Sequence, residues 1–396
     1  MASAILMLAG FFMGRAALSI AMALFVIASA VCFNKEDWQV FRKSGFLHMM
    51  MMLFLIPFVS GLWSGNFSNW MGMMQVKLPL LILPVCAVLL RRFSAKDFQY
   101  ISFAFIVAAV LACCYSLWQY SFQPVAIQQT YLKAKVLPVP LSGDHIRFAW
   151  AVLIAYLLLF ELLLAKFKSI SYKWKAAAIT GLVFFAVYLH ILSAKTGIIG
   201  FYLVNLVILF YCLRTRKILF TALLALLVCL PIAAYYVFPT FQNKVKFIKW
   251  DYQNYSRGTY VEGLPDAARI LSFRAGLYII ASHPVTGVGF GDIYNETNKW
   301  YNSNAAFLKE YERLYPSNEW LMHGCGAGTG GMIIFTVVVL LPLFISPPNK
   351  NFLWTGFHLL ALFNFLYESS LGVQYGVFLY SFFGCWSYWY SRRVNG

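Results

Sequence analysis

The sequence predicts an all-α polytopic membrane protein: about twelve transmembrane helices and one large periplasmic loop that contains short amphipathic helices. Three observations predict it. Of 396 residues, 61% are hydrophobic and only 11% are charged, a composition that water-soluble domains do not show. Apolar runs of about 17–25 residues, long enough to cross a hydrocarbon core, recur along the chain. The basic residues gather in short loops on alternate sides of those runs, which is the positive-inside pattern. The net charge of +17 is therefore a matter of topology, and nucleic-acid binding is rejected.

The chain divides into membrane helices over residues 1–238, a large outer loop over 239–322, and further membrane helices over 323–396. Met1 to Phe33 is apolar except for Arg15 and is too long for one ordinary span. It reads as two segments broken at Gly14-Arg15, with no cleavable signal peptide, because apolar sequence runs on directly. An inner loop with Lys35, Arg42 and Lys43 follows. Spans come next at about 46–63 and 71–90, the second carrying Lys77, Pro79 and Pro84, and Arg91, Arg92 and Lys96 return to the inner side. A span at about 98–119 leads to an outer loop, Tyr120 to Asp144, and the next span opens with Asp144-His145-Ile146-Arg147.

Lys166, Lys168, Lys173 and Lys175 mark an inner loop. Spans at about 176–193 and 197–213 form a hairpin whose outer turn holds Lys195; Arg214, Arg216 and Lys217 are inside. A span at about 218–238 exits to the long outer segment. After the span at about 323–345, Pro347 to Lys350 is inside. Two last spans, at about 352–369 and 375–390, have Glu368 and Gln374 in their outer turn, and Arg392-Arg393 inside. Both termini are expected to be cytoplasmic. The cysteines (Cys32, Cys86, Cys113, Cys114, Cys212, Cys229, Cys325, Cys385) fall in or at apolar runs. They have no zinc spacing or disulfide framework and read as small core residues.

Chemistry concentrates between Arg269 and Gly331. A helix is expected to start near Pro265-Asp266 and stop at His283-Pro284. On its wheel Arg274 shares a face with Ala267, Ile270, Leu271, Leu277, Tyr278 and Ala281, while Arg269 points nearly the opposite way. Arg274 is thus expected in the middle of the buried face, where a charge is expensive unless it meets an anion. The partner is either a structural carboxylate or a phosphate, whose oxygens match the guanidinium fork. GVGFGD follows, with Gly287, Gly289 and Gly291. It reads as a tight structural turn in preference to an anion cradle, and no βαβ unit surrounds it.

The next helix is expected to start at Pro316-Ser317-Asn318, with Ser317 as N-cap and Glu319 in the first turn. Glu319 and His323, four apart, share a face. They are either an acid/base pair or a capping glutamate with an interfacial histidine. Gly324, Gly326, Ala327, Gly328, Gly330 and Gly331 give small faces for close helix packing.

Arg15, His145, Arg147, Lys195, Arg269, Arg274, Glu319, His323, Glu368 and Gln374 all fall at the outer side, against the positive-inside bias, and ionisable groups there are functional candidates. Snorkelling is the plainer reading for Arg15 and Lys77, and that or a core hydrogen bond for His190, Glu161 and His358; His48 reads as interfacial. A cationic cluster at an outer leaflet suits a lipid pyrophosphate. Arginines and Lys195 would stabilise it as a leaving group while a base deprotonates an acceptor hydroxyl. No acidic metal-binding motif is present, so positive side chains would stand in for a divalent ion, and neither metal nor cofactor is expected.

These pieces in this order resemble the O-antigen ligase and polymerase family. The strongest are Arg274 to Gly291, with HPVTGVGFG, and Asn318 to Leu321 running into a glycine-rich helix. GRAALSI (Gly14 to Ile20), KLPLLILP (Lys77 to Pro84), DHIRF (Asp144 to Phe148) and YESSLGVQYG (Tyr367 to Gly376) support them. The resemblance implies an inner-membrane glycosyltransferase of the GT-C type, acting at the periplasmic face. It would move a glycan from undecaprenyl pyrophosphate to lipid A-core in a ligase, or to a second lipid-linked repeat in a polymerase. It places the family's loop arginine at Arg274 and its earlier arginine at Lys195. The chain departs from the family at Ser317, where a histidine often precedes the motif asparagine; Glu319 or His323, one turn on, are then the expected catalytic residues beside Asn318. Arg147, Arg269, Arg15 and His145 complete the expected pyrophosphate cluster. The alternative class is a lipid-linked glycan transporter, which would show internal repeats and midplane charges.

Overall fold

The computed structural model describes residues 1–133, 135–165, 171–215, 217–257, 262, 265–345 and 352–393. It is helical throughout, with no strand among the described residues. The first apolar run is two helices, α1 (Ala2–Met13) and α2 (Arg15–Cys32), broken at Gly14, whose φ of 129° needs no side chain. A short helix α3 (Lys35–Lys43) follows, closed by a capping box in which Asn34 and Asp37 exchange hydrogen bonds. The next elements are α4 (Gly45–Val59), α5 (Phe67–Lys77), α6 (Pro79–Cys86), α7 (Ala95–Phe122), a loop helix α8 (Pro124–Thr130) and α9 (His145–Ala165). Then come α10 (Tyr172–Leu192), α11 (Lys195–Thr215), α12 (Lys217–Val237), α13 (Pro239–Ser256), α14 (Pro265–Ser282), α15 (Ile293–Asn304), α16 (Glu319–Phe344), α17 (Phe352–Tyr367) and α18 (Gln374–Arg393).

Nine helical stretches among the described residues are long and apolar enough to cross a membrane: Arg15–Cys32, Gly45–Leu62, Phe67–Arg92, Ala95–Phe122, His145–Ala165, Tyr172–Leu192, Lys195–Leu213, Lys217–Val237 and Glu319–Phe344. The shorter apolar helices α1 and α17, with α18, stand where the remaining expected spans fall. Helix α18 is aromatic rather than aliphatic and is buried along nearly its whole length. With α9, also mostly buried, it forms the centre of the bundle, against α6, α7 and α17. The outermost helix, α12, is mostly exposed, as an apolar helix is where it meets lipid.

The two ends of the bundle differ. At one end Asp37, fully buried, is gripped by Arg91 and Arg92, and Arg393 donates to the Arg91 carbonyl. The other end, about 30 Å away along the 20 residues of α18, holds Glu368 and the turn Ser370–Gly372. Of the expected inner-loop residues, Lys166, Lys168, Arg216 and 347–350 lie outside the described residues, as does the Arg214 side chain.

Several polar residues find core partners. Glu161 accepts from Tyr390 at 3.1 Å, and His190 joins the Ala186 carbonyl and the Tyr202 hydroxyl. His358 is enclosed by Trp354, Phe357 and Phe46. His48 is exposed against Phe41. The cysteines split: Cys86, Cys113, Cys212, Cys325 and Cys385 are buried, but Cys32, Cys114 and Cys229 are exposed on the outside of the bundle rather than in its core.

Candidate functional site

Helix α14 and the start of α16 run side by side. Gly276 lies against Pro316 and Leu321, Gly324 against Ile280, and Thr329 donates to the Pro284 carbonyl at 2.8 Å. The chain after α14 therefore reaches a level about 15 Å down α16 from Glu319. Helix α16 is broken there, at Ala327 and Gly328, where Gly328 has φ 68°. Cys325 and Gly326 keep free carbonyls, and these accept from Val288 and Gly289 at 2.8 and 3.1 Å. Non-helical backbone at membrane depth persists only where protein satisfies it, and the glycine stretch does so here.

The far side of the same stretch is locked to the α4–α5 turn. Asp292 accepts from Gly65 and Asn66, Asn69 donates to Gly291, and Ser60 and Ser64 accept from Phe290 and Gly291. GVGFGD is thus the structural turn that the sequence suggests, wedged between α16 and the α4–α5 turn.

The orientation of α14 differs from expectation. Its protein-facing side is Ala268, Ser272, Ala275, Gly276 and Ile279. The side with Arg274, Leu277, Tyr278 and Ala281 is exposed, so the burial expected for Arg274 does not hold. The physical reason is the solvent: beside lipid the apolar stripe faces outward and small residues pack inward. Arg274 heads a stripe of exposed apolar side chains, Leu277, Tyr278 and Val285 on its own segment and Ile333, Ile334 and Val337 on α16.

Arg269, on the opposite side, enters a charge network. It pairs with Glu368, lies 4.0 Å from Asp266, donates to the Tyr367 hydroxyl at 3.1 Å and stacks over that ring. Lys195 pairs with Asp266. Arg147, buried, lies 3.6 Å from Asp144 and 4.0 Å from Glu368. His145 is beside Asp144, Lys244 and Arg147. Two residues of α13 complete the group. Burial, then the nearby Lys195, lowers Lys244 to about 8, and burial, then Asp266, raises Asp251 to about 6. Of the expected cations, Lys195, Arg269, Arg147 and His145 therefore converge, but onto carboxylates, so the cluster is close to neutral, and Arg274 is on the other side of α14. Arg15 stands apart, exposed over the Tyr375 ring.

The catalytic candidates are placed differently from a water-facing pair. Asn318, not Ser317, is the N-cap of α16: its side-chain oxygen accepts from Trp320 and Leu321, and its amide donates to the Leu366 carbonyl. Ser317 is buried and hydrogen-bonded to Ser272 at 3.0 Å, joining α14 to α16. Glu319 and His323 are buried, not interfacial. The His323 Nδ1 lies 2.8 Å from the Glu319 carbonyl and 3.6 Å from its carboxylate. Its ring stacks on Phe335 and meets the edge of Phe290, and its Nε2 has no hydrogen-bond partner.

The residue that sequence reasoning missed is Lys77. It does not snorkel: it is 2% exposed, and its Nζ donates to the Leu371 carbonyl at 2.9 Å. The Leu371 N–H donates to Glu319, so the backbone of one residue joins the two side chains. Lys77 lines a cavity of about 320 Å³ with Asn69, Tyr315, Met322, Ser369 and Val373. Met322 faces this cavity while its neighbour Leu321 packs on Gly276, so the cavity and the α14 face flank the same turn of α16. The sequence signals were a lysine inside an apolar run and its place at the head of KLPLLILP; its partners lie more than 200 residues away. No protein-family model and no curated protein matches the chain.

Proposed function

We propose that this protein is a metal-independent glycosyltransferase of the bacterial inner membrane, acting at the periplasmic face with both termini cytoplasmic and twelve spans. Its donor is a glycan on undecaprenyl pyrophosphate and its acceptor a sugar of lipid A-core. The observation that carries the reading is Arg274 at the head of an exposed apolar stripe. A lipid pyrophosphate there meets a guanidinium, while its hydrocarbon lies along Leu277, Tyr278 and Val285. The glycan reaches across the first turn of α16 into the cavity beside Lys77.

In the reaction, an acceptor hydroxyl oxygen bonds to the anomeric carbon. The bond from that carbon to the pyrophosphate oxygen breaks, the electron pair leaves with the pyrophosphate, and Arg274 stabilises it. The hydroxyl proton passes to Glu319, which we assign as base because it adjoins the cavity wall through Lys77 and Leu371. His323, closed off by Phe290 and Phe335, is a positioning residue for Glu319.

The test is a transfer assay with purified protein, undecaprenyl-pyrophosphate glycan, and either lipid A-core or a second lipid-linked repeat. Product on lipid A-core is the expected result. Lengthened lipid-linked chains would make the protein a polymerase. No product from folded protein with either acceptor would overturn the transferase reading in favour of a lipid-linked glycan transporter.

A further inference from the structure

A second lipid-facing feature lies away from α14, between α2, the α5–α6 pair and the start of α18. It is a groove of about 510 Å³. One wall is Ser19, Met22, Ala23, Val26 and Ile27, at the spacing of one helix face. The facing wall is Val76, Pro79, Ile82 and Leu83, and Gln75 and Gln374 join Ser19 as its polar lining. The Gln374 amide donates to the Ser19 hydroxyl at 2.7 Å, and that hydroxyl donates to the Arg15 carbonyl at 3.0 Å. Arg15, exposed over Tyr375, stands one turn above.

We infer that this groove binds one hydrocarbon chain of an anionic lipid, with the phosphate at Arg15. Three features select this occupant. The long walls are apolar and open to the side of the bundle, which suits a chain from the bilayer and no soluble ligand. The polar residues gather at one end, below a cation that lies against the positive-inside bias. Val76 lines both this groove and the cavity beside Lys77, so a lipid held here presents its head group near that cavity. The inference does not depend on glycan transfer, and it distinguishes Arg15 from the paired cations around Glu368.

The test uses the full-length protein in nanodiscs containing phosphatidylglycerol or phosphatidylcholine with a photoreactive acyl chain, followed by peptide mapping. Labelling by phosphatidylglycerol should concentrate at residues 19–27 and 75–83, several-fold above the exposed helix α12. Val26→Trp, which fills the groove, should remove that labelling and leave α12 labelled. Arg15→Gln should cut the preference for phosphatidylglycerol to near unity while the protein stays folded. Groove labelling no stronger than that of α12, labelling unchanged by Val26→Trp, or equal labelling by the two lipids would each overturn the inference.

Discussion

Lys77 and Glu319 hold the two backbone polar groups of one residue: Lys77 donates to the carbonyl of Leu371, and the N–H of Leu371 donates to Glu319. Both side chains are buried, and each charge acts on the other. A buried pair is costly to break from one side, because the remaining charge stays desolvated. Lys77→Met should therefore lower stability by roughly 3–5 kcal/mol, read by denaturation in detergent. Lys77→Met with Glu319→Gln should recover more than half of the loss. A double variant no more stable than the single would show that the two side chains act separately.

The break in α16 makes a sharper local prediction. Gly328 has φ 68°, and a Cβ there would strike the Val285 carbonyl. Gly330, two residues on, has open space around its Cβ position. Gly328→Ala should cost more than about 1 kcal/mol and loosen the 284–291 wedge. Gly330→Ala should be neutral or stabilising by up to about 1 kcal/mol. Proteolysis or hydrogen exchange at 284–291 separates the two; equal effects would mean that the break is not held by Gly328.

The arginines of α14 should also separate. Arg269 is built into the network with Glu368, Asp266 and Tyr367, whereas Arg274 is at the surface. Arg269→Gln should lower thermal stability measurably. Arg274→Gln should leave the protein folded, yet weaken binding of a fluorescent undecaprenyl pyrophosphate at least tenfold. Unchanged binding in Arg274→Gln would remove the clamp from the proposed mechanism.

What could be read from the sequence follows from which forces are local. Hydropathy located the nine candidate spans among the described residues to within a few residues, and the helix over Pro265–Ser282 was bounded correctly by Pro265 and Pro284. The wheel also grouped Arg274 with Leu277 and Tyr278. It could not say which side was protein and which was lipid, and the rule for water gave the wrong one. The N-cap moved by one residue, from Ser317 to Asn318, because Ser272, 45 residues earlier, takes the Ser317 hydroxyl. Lys77 was unreadable for the same reason: the Leu371 carbonyl is 294 residues from it. The packing of 284–291 against α16 depended on a helix break that Ala327-Gly328 permits but does not announce.

The α13 residues give a dependence on pH. The Asp251 carboxyl has a folded value raised from 3.8 to about 6, chiefly by burial and then by Asp266. Between those values the folded state holds more protons than the unfolded one, so stability falls as pH rises from about 4 to about 6. Lys244 is lowered from 10.5 to about 8, chiefly by burial and then by Lys195. Between about 8 and 10.5 the unfolded state holds more protons, so stability rises with pH there. Asp251→Asn should flatten the acid limb of a melting-temperature profile and leave the alkaline limb; Lys244→Met should do the reverse. Because Asp251 faces Asp266 and Lys244 faces Lys195, each variant also shows whether its own burial or the shared cluster sets the slope. A limb that survives both substitutions would place its origin elsewhere in the protein.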